Sequence, residues 1–140
     1  MHAFACTFTR QNDVMALKML IDDGLDVNAY ERSGWAPLHA AATEDSRECM
    51  KLLLDHGANP NIIGHWVRTP LHLACIWGRF ECASMLLNAK ADVSLKDIQD
   101  ATPLHSAAWN GHPSCVRLLV ASGADVNSLC KGRGFLDNPR

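Results

Sequence analysis

Three tetrapeptides recur at intervals of 33 residues: Ala36-Pro37-Leu38-His39, Thr69-Pro70-Leu71-His72 and Thr102-Pro103-Leu104-His105. The register extends well outside them. Leu20, Leu53, Leu86 and Leu119 share one position, Asn28, Asn61 and Asn127 a second, and Gly24, Gly57 and Gly123 a third. Self-similarity at a fixed period of this length marks a chain built from one supersecondary unit, each copy burying its apolar face on the next. Four copies fill residues 1–130, at about 1–30, 31–63, 64–96 and 97–129. In units three and four a Pro after a hydroxyl residue reads as a helix start, and in units one, two and four Gly after an apolar-periodic run reads as a helix stop. First helices are therefore expected near 37–43 and from Pro70 and Pro103, and second helices near 14–21, 47–55, 80–87 and 114–120.

The period of 33 with its Thr-Pro-Leu-His core resembles the ankyrin repeat, two antiparallel helices followed by a projecting β-turn. The resemblance implies an all-α solenoid of stacked helix-turn-helix units with β-turn fingers. Second helices would form the convex back, and the fingers and first helices a concave groove. The chain departs from the pattern in four ways. Unit one has Phe4 and Cys6 where the others have proline and histidine, as befits a terminal repeat with one unpartnered face. Ala36 replaces the capping threonine, which should soften that helix start. Asn12 and Asp45 stand where Gly78 and Gly111 stand later, and Lys90 replaces a glycine. If those positions need the left-handed conformation, Asn and Asp tolerate it better than Lys. Residues 131–140 carry no fifth copy and read as a tail or the start of a linker.

Composition narrows the class further. An apolar fraction of 48% with 20% charged residues is that of a globular chain, and no run approaches the ~18 apolar residues of a membrane span. A net charge of −2 leaves no basic footprint for nucleic acid and no polybasic membrane anchor. Cys49, Cys82 and Cys115 lie one period apart on successive second helices. Helices pack about 8–10 Å apart, beyond the ~7 Å Cα separation a disulfide allows. Together with Cys6, Cys75 and Cys130 they read as small buried packing residues of a reducing compartment, cytoplasmic or nuclear.

The candidate sites follow from sorting scaffold from variable positions. His39, His72 and His105 recur in register, but on different repeats, so they cannot share a metal whose ligands lie ~2 Å away. In the ankyrin family this histidine bonds within and between turns. No nucleophile turn and no Gly-rich phosphate loop is present, and His105-Ser106 point to different helix faces. We therefore expect no enzyme, no metal and no cofactor. The resemblance places Trp35 and Trp66 in fingers two and three, with Arg68 beside Trp66. It places Trp77 and Trp109 at the concave ends of the first helices, with Ile76 beside Trp77. Trp and Arg are the commonest energetic anchors of interfaces. Arg32, Thr43, Glu44, His65, Gln99 and Asn110 would form a polar rim. The expectation is a monomeric protein-binding module whose partner offers an apolar anchor towards the carboxyl-terminal half. Large side chains packed on the next repeat, in a structural spacer of a larger protein, are the alternative. Leu20 with Asp26-Val27-Asn28, and Leu119 with Asp125-Val126-Asn127, also look like ankyrin sites modified by asparaginyl hydroxylases, at Asn28 and Asn127.

Overall fold

The computed structural model describes residues 3–127. The expected tail, and Cys130 before it, lie outside the described residues. Eight α-helices among those residues alternate in pairs: α1 (Ala3–Arg10) with α2 (Val14–Asp22), α3 (Pro37–Glu44) with α4 (Arg47–Asp55), α5 (Pro70–Ile76) with α6 (Phe80–Asn88), and α7 (Pro103–Trp109) with α8 (Pro113–Ala121). The first helices α1, α3, α5 and α7 stack side by side in one layer, and the second helices in another. The shared leucine position explains the stacking, since Leu53, Leu86 and Leu119 are fully buried between units. Leu20, at the same position in the first unit, is only half-buried.

Helix starts follow the tetrapeptide. The Thr69 backbone N–H donates to His72 Nδ1 at 3.2 Å, and the His72 N–H donates back to Thr69 Oγ1 at 3.3 Å. Thr102 and His105 repeat the exchange at 3.1 and 3.4 Å. This is the reciprocal capping of a helix start, with histidine in the role usually played by Glu or Gln. Because an amide N–H can only donate, Nδ1 must be the acceptor nitrogen, so the proton of the neutral ring sits on Nε2. That nitrogen crosses to the next unit: His72 Nε2 donates to the Ala101 carbonyl at 2.8 Å, and His39 Nε2 to the Ile62 and Arg68 carbonyls, both at 3.1 Å. One side chain thus closes its own helix and ties down the following finger. Burial disfavours the charged ring, pulling His39 down to about 4 and lowering His72.

Ala36 keeps half of this arrangement. Its N–H donates to His39 Nδ1 at 3.1 Å, while the His39 N–H, lacking a hydroxyl, turns to the Ala36 carbonyl at 3.0 Å. Unit one substitutes more thoroughly. Cys6, one period before His39, directs its thiol to the Trp35 carbonyl at 3.9 Å, the equivalent of the Arg68 and Ala101 carbonyls. A thiol is a weak donor, and Glu31 Oε2 supplements it by accepting the Cys6 N–H at 2.8 Å.

The positions between and after helices do adopt left-handed backbone. Asn12 and Asp45 have φ of 53° and 59°, and Lys90 has 77° where Gly24, Gly57 and Gly123 have 99°, 89° and 96°. Lys90 therefore carries a steric cost that the glycines escape. The described cysteines are all free and buried. A hydrogen bond between the thiols of Cys75 on α5 and Cys115 on α8 raises the former and lowers the latter.

Candidate binding groove

The fingers are where the units cease to be copies of one another. Gly34, Val67 and Asp100 occupy the same register position and all have positive φ, at 85°, 58° and 64°. Glycine accepts this freely and Asp tolerates it, but a β-branched Val at φ above zero is a true outlier. In unit three the preceding residue is left-handed as well: Trp66 has φ 58° and ψ 26° inside the short 3-10 turn His65–Val67. Its counterparts Ser33 and Gln99 are not left-handed. The ladder between fingers registers the difference. The His65 N–H donates to the Gly34 carbonyl at 3.1 Å, whereas the Ile98 N–H, one period later, reaches Trp66 rather than Val67, at 2.9 Å. Two such residues cost of order 1–3 kcal/mol each, and strain of this kind persists where surrounding structure holds it.

That turn faces an aromatic cluster. Trp35 lies 5.0 Å from the His39 ring and 6.0 Å from His65, whose ring is 4.7 Å from Trp66. The Arg68 guanidinium sits over Trp66 at 4.9 Å. Its Nε lies 3.6 Å from Asp97 Oδ2, an ion pair too long for a hydrogen bond, and has no hydrogen-bond partner. The second Asp97 oxygen accepts the N–H groups of Gln99 and Ala101 at 2.8 and 3.0 Å, fixing the carboxylate under finger four. Gly64 permits the close approach of finger three to Trp35. A Cβ there would lie 2.8 Å from both Trp35 and His39, whereas Glu31 and Asp97 occupy the same register position in fingers two and four.

Trp35, Trp66 and Trp77 meet around a pocket of about 210 Å³, completed by Arg10, His39, Ala40, Thr43, Arg68 and Leu73. Trp66 and Trp77 are 51% and 54% exposed, far more than packing alone requires of tryptophan. Of the expected contact residues, Trp35, Thr43, Trp66, Arg68 and Trp77 are brought together here. His65 joins through its two tryptophan neighbours, while Arg32 and Glu44 are exposed nearby in sequence and do not line the pocket. The others lie elsewhere. Trp109 is half-buried and stacks on His105 at 5.4 Å and 30°. Asn110 donates to the Ser106 carbonyl at 2.7 Å, the Ile76 carbonyl accepts from His112 Nε2 at 3.0 Å, and Gln99 stays in finger four. Trp35 lines this pocket and Trp109 does not, so the pocket lies between fingers two and three and does not extend into the fourth unit. Arg10, Leu73 and Gly64 were missed. Arg10 had a signal, because it stands one period before Thr43.

Asn28 and Asn61 play a part of their own. Asn28 donates to the Gly57 carbonyl at 3.1 Å and accepts the Asn59 N–H at 2.8 Å, and Asn61 repeats both bonds with Lys90 and Asp92 at 3.5 and 2.7 Å. Ser94 is too short for this and bonds to its own Asp92. The Asn127 N–H donates to Asp125 at 2.9 Å. Among the described residues no group of three or more His, Cys, Asp or Glu is placed to hold a metal, and no helix is long and apolar enough to cross a membrane.

With the stack, the fingers and the groove in place, the family is no longer in question. The family model described as Ankyrin repeats (3 copies) matches residues 64–130, and that described as Ankyrin repeats (many copies) matches residues 2–54 and 38–87. The chain belongs to the ankyrin repeat family, whose repeats generally mediate protein–protein interaction and are typically non-enzymatic. A search of the curated proteins finds no match.

Proposed function

We propose that the chain is a non-enzymatic protein-binding module that docks its partner in the groove between fingers two and three. One observation carries this: three tryptophans from three separate elements converge on one pocket, and two remain more than half exposed. Exposed tryptophan beside arginine is the composition of an interface centre. The stacked repeats supply rigidity. Their ordering cost is met on folding, so docking immobilises little more on this side. The module would act as a monomer in the cytoplasm or nucleus, recruiting or blocking another protein. Its binding residues would be those lining the pocket, with Arg32, Glu44 and His65 around it.

Capture from lysate by the wild type and by Trp66→Ala/Trp77→Ala, both shown folded by circular dichroism, tests the reading. A protein recovered only by the wild type supports it. Recovery of the same set by both overturns it.

A second reading, a structural spacer segment of a larger multidomain protein, is favoured by unit one. Phe4 is 55% and Met19 66% exposed there, although their register equivalents Pro37, Pro70 and Pro103, and Leu52, Met85 and Leu118, are buried or half-buried. Such a face suits a further repeat packed against it. Hydroxylation of Asn28 and Asn127 is a proposal on the same footing. An intact mass lacking a 16-dalton increment, for protein made in cells with the hydroxylase, would count against it.

A further inference from the structure

We infer that the pocket between fingers two and three selects an acidic segment of its partner, presenting one large apolar side chain flanked by Asp or Glu. The inference rests on the groove being the binding surface. Size sets the first constraint. At about 210 Å³ the pocket is smaller than the ~300–1,000 Å³ of small-molecule sites, and its walls of Trp35, Trp66, Trp77 and Leu73 suit a single Phe, Leu or Met side chain.

Charge sets the second. Tryptophan walls alone would equally suit a cation, since a ring face attracts ammonium groups. On Trp66 that place is already taken, with Arg68 of the same chain lying 4.9 Å over the ring. The pocket is lined by two arginines, Arg10 and Arg68, and by no carboxylate. Asp97 behind Arg68 is buried with its second oxygen committed to two backbone N–H groups, so it answers one arginine at most. Of the carboxylates near the lining residues in sequence, Glu31 accepts the Cys6 N–H, Asp13 caps α2 and Asp45 pairs with Arg47, which leaves Glu44 at the exposed end of α3. Arg10 is exposed, and Arg32 adds a further exposed cation in finger two. A locally positive pocket on a chain of net charge −2 repels lysine-rich segments and trimethyllysine, and steers acidic ones. Exposed charge pairs each contribute a few-fold at most, so two or three together give about tenfold at low salt.

Three capped, fluorescein-labelled heptapeptides provide the probes: Asp-Asp-Glu-Phe-Glu-Asp-Asp, the same peptide with Ala for Phe, and Lys-Lys-Lys-Phe-Lys-Lys-Lys. Fluorescence anisotropy at 50 mM salt should show the acidic Phe peptide binding at least about tenfold more tightly than either other. Arg10→Glu, at an exposed position, should remove most of that preference, and 0.5 M salt should weaken the binding. Absence of binding by the acidic Phe peptide, equal affinity for the basic one, or indifference to Arg10→Glu would overturn the inference. If the basic peptide binds instead and Trp66→Ala/Trp77→Ala abolishes it, the charge assignment fails while the groove stands. If the lysate capture is also unchanged by that pair, the groove itself fails.

Discussion

Burial of His39 makes the stability of the stack depend on pH between about 4 and 6.5. The ring is held neutral at about 4 in the folded chain, against about 6.5 when unfolded. A base whose value is depressed on folding binds its proton more readily unfolded. Its contribution is therefore complete above about pH 6.5 and is lost as pH falls towards 4. At pH 5 the unfolded ring is almost wholly protonated and the folded one hardly at all, which removes about 2 kcal/mol relative to pH 7. His72, lowered by burial in the same direction, adds to this. Carboxylates lowered in the folded chain, Asp45, Glu48 and Asp92, act mainly at lower pH. Urea unfolding at pH 7 and pH 5, followed by circular dichroism, should show the wild type losing at least about 2 kcal/mol. In His39→Gln, whatever the loss at pH 7, the decline between the two values should shrink by about 2 kcal/mol. A wild-type change under about 0.5 kcal/mol, or an equal decline in the variant, would refute the burial argument.

Lys90→Gly should raise stability by about 0.5–1 kcal/mol, because glycine meets no steric cost at φ 77°; a loss in thermal unfolding would mean that Lys90 makes a compensating contact. Ala36→Thr supplies the hydroxyl that Thr69 and Thr102 use. Since half of the box is already formed and the hydroxyl accepts the histidine N–H only at 3.3 and 3.4 Å, although it also lies 2.9 Å from Nδ1, the gain should be about 0.5–1 kcal/mol. No rise in midpoint would count against the cap. Asn28→Ala removes both bonds between the loops of units one and two and should cost about 1 kcal/mol in urea unfolding. An unchanged midpoint would show that water replaces them.

The scaffold was legible because repetition turns each helix into three or four independent readings. Pro37, Pro70 and Pro103 mark helix starts that the structure keeps to the residue, and Lys90 and Asp45 could be flagged as left-handed only because glycines filled their places in other units. Register put Cys6 at the histidine position, but it read there as a departure from the tetrapeptide and not as a thiol that would reach the Trp35 carbonyl. The groove is written in the opposite way, in positions where the copies disagree, and there the register helps least. Trp66 and Trp109 looked equally available, yet one is rotated outward by a left-handed turn and the other stacks on His105.

What separates them is backbone conformation, which a tryptophan in the sequence does not announce. The clue lay one step away, in the missing side chain at Gly64. Where finger two has Glu31 and finger four has buried Asp97, finger three has nothing, and the space admits Trp35 and the His39 ring at 2.8 Å from the vacant Cβ site. The Val67 N–H donates to the Gly64 carbonyl just as Gly34 and Asp100 donate to Glu31 and Asp97, but finger three, without a carboxylate to accept its N–H groups as Asp97 does for finger four, adds a bond from the Arg68 N–H to the His65 carbonyl. The left-handed pair Trp66 and Val67 is the conformation in which it does so. The strain, the exposed indole and the arginine over it thus accompany one small residue, and Gly64→Asp, by restoring the side chain while colliding with Trp35 and His39, should disperse the pocket that the wild-type turn holds together.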